Sequence, residues 1–312
     1  MDRRPLGRSE LVIEPLVLGG NVFGWTVDEK AGFDILDAFV EAGFTAIDTA
    51  EGYSNWVAGN PPGMSEIIIG NWMKARGNRA DVHVFTKVNS GKRPGGLKPE
   101  SIHESIEASL KRLQTDYVDL YFSHWPDAEA NHEETLTAYD TLIRAGKVRV
   151  IGASNYTAQM VEEAEHTAVI KSLPRYEVLQ NRYNLYDRAE FEALRPVIEK
   201  YEVGTVVYYS LASGFLTGKY RSRNDLSKSP RGGGIEKYLD DKGQRILKAL
   251  DEVAGAMDAT PAEVALAWLV AQKGVSAPIA SATSVEQVKS LAKGVRLSLS
   301  EEQVRILDQA GA

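Results

Sequence analysis

Short apolar runs recur at residues 16–18, 44–47, 82–85, 118–122, 150–151, 177–179, 205–208 and 277–280, eight in all, each followed by a stretch of helical periodicity. That alternation constrains the fold more than any other feature of the chain. Strict strand-then-helix order calls for a parallel sheet, because each helix returns the chain to the edge where the next strand begins. Eight such units imply a closed (β/α)8 TIM barrel. The periodicity predicts helices from Asp28, a plausible N-cap, to a C-cap at Gly43, and over 65–76, 99–113, 132–145, 157–170 and 188–201. Further helices are predicted over 235–257, 261–272, 284–292 and 300–310, and Pro196 is expected to kink the one that contains it. A hairpin of residues 3–6 and 11–13, turning at Gly7-Arg8-Ser9, precedes the first unit, and the Ser-, Arg-, Gly- and Pro-rich residues 221–234 read as a long mobile connection. No linker or compositional break divides the chain, so residues 1–312 are expected to form a single barrel domain.

In such a barrel the chemistry sits on the loops after the C-terminal ends of the strands. Asp48, Tyr53, Lys87 and His124 all fall at or just after the end of an apolar run, delivering an acid, a phenol, an amine and an imidazole to one rim. A free phenol has a pKa of about 10, too high to act readily as a base at neutral pH. An ammonium about 4 Å away at an effective dielectric near 20 favours the phenolate by about 4 kcal/mol, or roughly three pKa units. Lys87 is therefore expected to bring Tyr53 towards neutrality, with Asp48 holding Lys87 charged and in place. His124 is expected to hydrogen-bond a carbonyl oxygen and orient it. Taken singly, each residue has a bland alternative: a loop cap, a solvated rim lysine, a packing tyrosine, a structural histidine. Their convergence on successive strand ends favours the site, and carbonyl reduction or its reverse suits it.

Side chains supply no hydride, so a nicotinamide or flavin is required. Neither GxGxxG after the first run nor GxxxxGK[ST] occurs, so no Rossmann or P-loop site is indicated. The turn from Tyr208 and Tyr209 through Ser210, Leu211, Ala212 and Gly214 to Lys219 follows the seventh run, where barrels commonly bind phosphate. Its backbone amides and Lys219 are expected to cradle a pyrophosphate, with Tyr208 stacked on the nicotinamide ring. Ser154, Asn155 and Gln180 follow the fifth and sixth runs and suit a carboxamide.

Composition narrows the other classes. The formal net charge of −7, with no basic stripe outweighing it, argues against a nucleic-acid partner. Zero cysteines exclude disulfides and thiolate ligands and fit a reducing, cytoplasmic setting. The residues from Met1 to Gly7 lack the apolar core of a secretory signal, and no window reaches 18 uninterrupted apolar residues, so no membrane partner is expected. His83 and His103 show no ligand spacing, and no metal site is expected.

Eight strings in order carry a resemblance: LVLGGNVFG from Leu16, AIDTAEGYS from Ala46, FTKV from Phe85, LYFSHWPD from Leu120, IGASN from Ile151, LQNRYN from Leu179, YSLASGFLTGKYR from Tyr209 and IASATSVEQV from Ile279. The chain resembles the aldo-keto reductase family over nearly its whole length. The resemblance implies a barrel binding NADP(H), with NAD(H) as the alternative, across the C-terminal rim. It implies Tyr53 as general acid with Asp48, Lys87 and His124 as partners, and nicotinamide contacts at Ser154, Asn155, Gln180 and Tyr208. Gly20, Asn21, Asp48, Ser281, Thr283 and Gln287 join the expected cofactor contacts. The chain departs from the family pattern where Ser210 replaces a common proline, where the last turn, Ala280 to Ser284, lacks a basic residue for a 2′-phosphate, and where Ser290-Leu291 replace a Glu-Asn pair. Arg231 is expected to supply the missing charge. An insertion over residues 55–64 lengthens the loop beside Tyr53, and Trp25, Trp56 and Trp125 are expected to wall an aromatic pocket for an apolar or ring-bearing substrate, a small-molecule carbonyl or alcohol. The rival reading is a cofactor-binding regulatory subunit of the potassium-channel β-subunit type. The retained His124 and the absence of an extension before the barrel argue for the enzyme, while monomer and homo-oligomer are equally compatible with the sequence.

Overall fold

A computed structural model describes residues 3–92, 94–229 and 232–312. Among the described residues eight parallel strands close into a barrel: β3 (Val17–Gly19), β4 (Ala46–Asp48), β5 (His83–Val88), β6 (Val118–Ser123), β7 (Val148–Ser154), β8 (Val178–Arg182), β9 (Gly204–Tyr208) and β10 (Ala277–Ala280). β10 pairs with β3 through Ile279 opposite Val17, which shuts the ring. The expected (β/α)8 TIM barrel is the fold. An antiparallel hairpin, β1 (Arg4–Pro5) and β2 (Val12–Ile13), lies outside the ring in hydrogen bonding. Its Leu6, Leu11 and Ile13 nevertheless pack into the same apolar cluster as the inward-facing Val17, Phe85, Leu120, Val178 and Ile279. The hairpin thus plugs the barrel, burying apolar surface that an open end would leave wet.

Period-two alternation sorts each strand. Ala46, Phe85, Leu120, Phe122, Val150, Val206 and Ala277 fill the interior, while Ile47, Val84, Tyr121, Ile151, Leu179 and Val207 face the surrounding helices. Gly152 belongs to the inward set because Phe122 occupies its space; a Cβ there would lie 2.5 Å from the Phe122 ring. Continuing the inward register towards the strands' C-terminal ends brings Asp48, Lys87, Ser154, Gln180, Arg182 and Tyr208 to one polar mouth of the barrel, with Lys87 paired to Phe122 and Arg182 to Tyr208.

The helices are α1 (Glu29–Glu41), α2 (Met64–Arg76), α3 (Pro99–Leu113), α4 (His132–Arg144), α5 (Ala158–Lys171), α6 (Ala189–Tyr201), α7 (Asp241–Ala256), α8 (Pro261–Ala271), α9 (Val285–Gly294) and α10 (Glu301–Ala310). Asp28 caps α1 by accepting from the Ala31 N–H, as its position in the sequence suggested. Pro196 sits inside a single α6. The helix expected from residue 235 starts instead at Asp241, because Asp240 accepts from the Gly243 N–H and sets the true N-terminus. Part of the expected connection is itself ordered into a short 3₁₀ turn, Arg223–Lys228, closed by a Ser222–Asp225 capping box. No single described helix is long and apolar enough to cross a membrane.

Candidate active site

Asp48 ends β4, so its side chain takes the inward register directly above Ala46, and Lys87 rises from the neighbouring β5. The Lys87 ammonium donates to Asp48 Oδ2 at 2.7 Å, to the Thr49 carbonyl at 2.7 Å and to the Tyr53 hydroxyl at 3.0 Å. Tyr53 in turn donates to Asp48 Oδ2 at 3.4 Å, and Gln180 Nε2 from across the barrel donates to Asp48 Oδ1 at 2.9 Å. Lys87 is wholly buried and Asp48 almost so, and three fixed partners account for all three ammonium protons.

One expectation about this cluster is reversed. Burial, and after it the Asp48 carboxylate, hold the Tyr53 phenol well above its ordinary value of 10.0 rather than bringing it towards neutrality. The Lys87 cation lies closer to Asp48 than to Tyr53, so the phenol faces an ion pair instead of a bare charge, in a place where water does not solvate a phenolate. Burial also lowers Lys87 below the usual lysine value, with Asp48 opposing that shift. Tyr53 is therefore a neutral phenol with its proton available and an ammonium beside its oxygen: a donor, not a resting base.

His124 follows β6 directly, its backbone N–H bonded to the Val88 carbonyl at 2.9 Å. Its ring meets Tyr53 edge-on at 6.0 Å and lies roughly parallel to Trp125 at 5.9 Å. Burial, with help from Lys87 and Lys92, pushes His124 well below 6.5, so the imidazole is neutral. Asn155, at a left-handed φ of 62°, donates to the His124 carbonyl at 2.8 Å and accepts from the Tyr208 hydroxyl at 2.6 Å. Ser154 donates to the Gln180 carbonyl at 2.8 Å. The amide and hydroxyl groups expected to meet a carboxamide are thus also the braces that fix His124 and Asp48.

The cofactor expectation can be tested on the loop after β9. Leu211 (φ −107°, ψ 19°) leads into a left-handed Ala212 (φ 47°), and the turn is closed internally, the Ala212 N–H donating to the Tyr209 carbonyl at 2.7 Å and the Gly214 N–H to the Leu211 carbonyl at 2.8 Å. Ser213 (φ 58°) and Gly214 (φ 99°) extend the left-handed stretch, and a Cβ on Gly214 would sit 3.8 Å from the Lys219 ammonium. A side-chain-free backbone at Gly214 beside the Lys219 ammonium fits a pyrophosphate. Ser210, where a proline was noted as common, is buried and donates to the Val207 carbonyl at 3.0 Å, so the loop keeps its start without the ring. Tyr209 is about half exposed. On the adjoining strand ends, after β10 and β3, Ser281 donates to Asn21 beside Gly20 at 2.6 Å, and Gln287 accepts from the Thr283 N–H at 2.8 Å. Arg231 lies outside the described residues.

Of the three tryptophans, Trp25 and Trp56 meet edge to face at 5.7 Å, and Trp125 carries the Lys92 ammonium 3.4 Å over its ring. The insertion docks through Asn60, which donates to the Gly24 carbonyl at 2.7 Å. Trp56 remains more than half exposed. Sequence reasoning passed over Ser90, which meets His124, Glu51, which holds Ser90, and Arg182, whose buried Nε has no partner among the described residues while its guanidinium rests 4.9 Å over the Tyr209 ring. Their signal was position alone: each is on a strand end or in the loop that follows one.

Comparison with known proteins agrees with this picture. The model of the Aldo/keto reductase family matches residues 15–312. An uncharacterized oxidoreductase, YrpG, of Bacillus subtilis (strain 168) is 34% identical over 99% of this chain and 95% of its own length. A probable voltage-gated potassium channel subunit beta of Oryza sativa subsp. japonica is 35% identical over 92% of this chain and 89% of its own. Norsolorinic acid reductase B of Aspergillus parasiticus is 30% identical over 97% and 82%. With its barrel, its rim of polar strand ends and this match across nearly its full length, the chain belongs to the aldo/keto reductase family.

Proposed function

We infer that the chain is an NAD(P)(H)-dependent oxidoreductase that reduces an aldehyde or ketone to the alcohol, reversibly. The observation that carries the reading is the Lys87 ammonium within hydrogen-bond reach of both Asp48 and Tyr53, at 2.7 and 3.0 Å. A nicotinamide bound across the rim supplies the hydride. Ser154, Asn155, Gln180 and Tyr208 suit its ring, and the loop from Ser210 to Lys219 its pyrophosphate. The turn at Ser281 to Gln287 offers hydroxyls and an amide to a ribose or 2′-phosphate, and NADPH is the preferred form.

The residues then divide the work on the substrate. His124, being neutral, donates one hydrogen bond to the carbonyl oxygen and orients it. Tyr53 gives its proton to that oxygen as negative charge develops there, a downhill transfer because an alkoxide is more basic than a phenolate. Lys87 stabilises the phenolate left behind, and Asp48 keeps the ammonium aimed at it. The tryptophan pair beside Tyr53 and Trp125 beside His124 suit an apolar or ring-bearing substrate.

Following NADPH absorbance across a panel of aldehydes, ketones and sugars tests the reaction, and Tyr53→Phe tests the donor. That variant is expected to bind NADPH as the parent does and to lose most turnover, by at least about 100-fold. Full activity in Tyr53→Phe would refute the assignment. The second reading, a regulatory subunit that binds the cofactor with little turnover, draws on relatives named as channel subunits. The retained His124 favours the enzyme, and tight NADPH binding with no turnover on any carbonyl would favour the subunit.

A further inference from the structure

We propose that Ser90 is a positioning residue that holds His124 in the tautomer with its proton on Nε2, so that the ring donates to the carbonyl oxygen of the substrate. The inference rests on the reaction proposed above and extends it to the residue that prepares His124.

A neutral imidazole has one N–H and one lone pair, and the hydrogen bond made by one nitrogen decides the role of the other. Ser90 Oγ lies 2.9 Å from His124 Nδ1. Among the described residues that nitrogen is the one partner recorded for the Ser90 hydroxyl, so the hydroxyl proton goes to Nδ1 and the ring proton to Nε2. The opposite tautomer would leave the Ser90 proton without a protein acceptor and would turn a lone pair towards a carbonyl oxygen, where two acceptors repel.

Ser90 is itself held from the loop that carries Tyr53. Its backbone N–H donates to Glu51 Oε1 at 3.2 Å. Gly52 packs flat against it: a Cβ at position 52 would lie 2.5 Å from Ser90 Cβ and 3.2 Å from its Oγ. The same short stretch, Glu51 to Tyr53, therefore presents the proton donor and wedges the hydroxyl that sets the second hydrogen-bond donor. The His124 backbone is fixed on both sides, by Val88 and by Asn155, so the ring has little freedom to recover if the serine is lost.

The test is ¹⁵N NMR of histidine side chains on the full chain, whose five histidines make the His124 signals assignable with a His124→Asn control. The wild type is expected to show Nδ1 unprotonated and Nε2 protonated. Ser90→Ala is expected to shift the ring to a mixture of tautomers and to lower kcat for carbonyl reduction about five- to tenfold, with the NADPH dissociation constant unchanged. Ser90→Thr, which keeps the hydroxyl, is expected to retain the wild-type tautomer. A wild-type spectrum with the proton on Nδ1 would overturn the proposal, as would a Ser90→Ala protein with unaltered tautomer and unaltered kcat. The wild-type spectrum needs neither a folded variant nor turnover, so it decides the tautomer even where no carbonyl is reduced, an outcome that would count against the reaction alone.

Discussion

Replacing Lys87 by Met keeps the length and bulk of the side chain and removes its charge. Among the described residues the buried Asp48 carboxylate then keeps only Gln180 at 2.9 Å and Tyr53 at 3.4 Å as donors, and the Thr49 carbonyl loses its ammonium. Breaking a buried ion pair from one side costs about 3–5 kcal/mol, because the remaining charge has neither water nor its counter-ion. At about 2.1 cal/mol/K of unfolding entropy per residue, a chain of this length unfolds with roughly 0.66 kcal/mol/K, so Lys87→Met is expected to lower Tm by about 5–8 °C. The decisive variant is the double replacement. Asp48→Asn in the Lys87→Met background removes the stranded charge and is expected to raise Tm above that of Lys87→Met, a coupling of about 1–3 kcal/mol. Calorimetry on the parent, both single variants and the double variant at neutral pH measures all four corners. Additive losses, with the double variant melting lowest, would refute the reasoning that the pair is a mutual neutralisation in a dry place.

The pH behaviour follows from two shifts of opposite sign. His124 is held below 6.5, so its contribution to stability is present above 6.5 and lost as pH falls through the lower folded value; the rate of carbonyl reduction is expected to show no inflection at 6.5, and His124→Asn to flatten the acid limb of the stability profile. Tyr53 is held above 10.0, so its contribution is complete below 10.0 and is lost as pH rises beyond it, and the reduction rate is expected to fall only on that alkaline side, as a pH–rate series will read. Gly214→Ala forces an L-residue to a φ of 99° and is expected to lower Tm by about 2–5 °C and to weaken NADPH binding by about tenfold, measured by fluorescence titration; unchanged affinity would remove the loop from the cofactor site. Glu66, buried on the outer side of β5 with Arg112 and Thr86 each at 2.6 Å, is structural: Glu66→Gln is expected to cost about 2 kcal/mol, or about 3 °C, with turnover retained.

The barrel was legible because its interior is apolar along most of each strand, and the errors in strand length have one physical source. The run at 82–85 gives way to Thr86-Lys87-Val88, but the ladder continues to Val88, so Lys87 lies within β5 rather than after it. β7 likewise reaches Ser154 and β8 reaches Arg182, beyond the runs at 150–151 and 177–179. Apolar runs stop where the interior opens onto the site, whereas backbone pairing does not, so hydropathy undercounts strands at the chemical end. Asp48, Tyr53, Lys87 and His124 were singled out because titratable groups stand out after such runs. The ionisation of Tyr53 was misread because a pairwise estimate left out the Asp48 carboxylate, which bonds both cation and phenol, and the loss of water. Ser90 was passed over because a loop serine carries no signal until its neighbour is known.

The complete enclosure of Lys87 has a practical corollary for bench chemistry. Amine-directed reagents, whether used to attach a fluorophore or to tether the protein to a resin, will meet solvated ammonium groups and leave this one untouched while the fold persists. Since the chain contains no thiol to compete, a single introduced cysteine would offer an equally selective handle on the exterior.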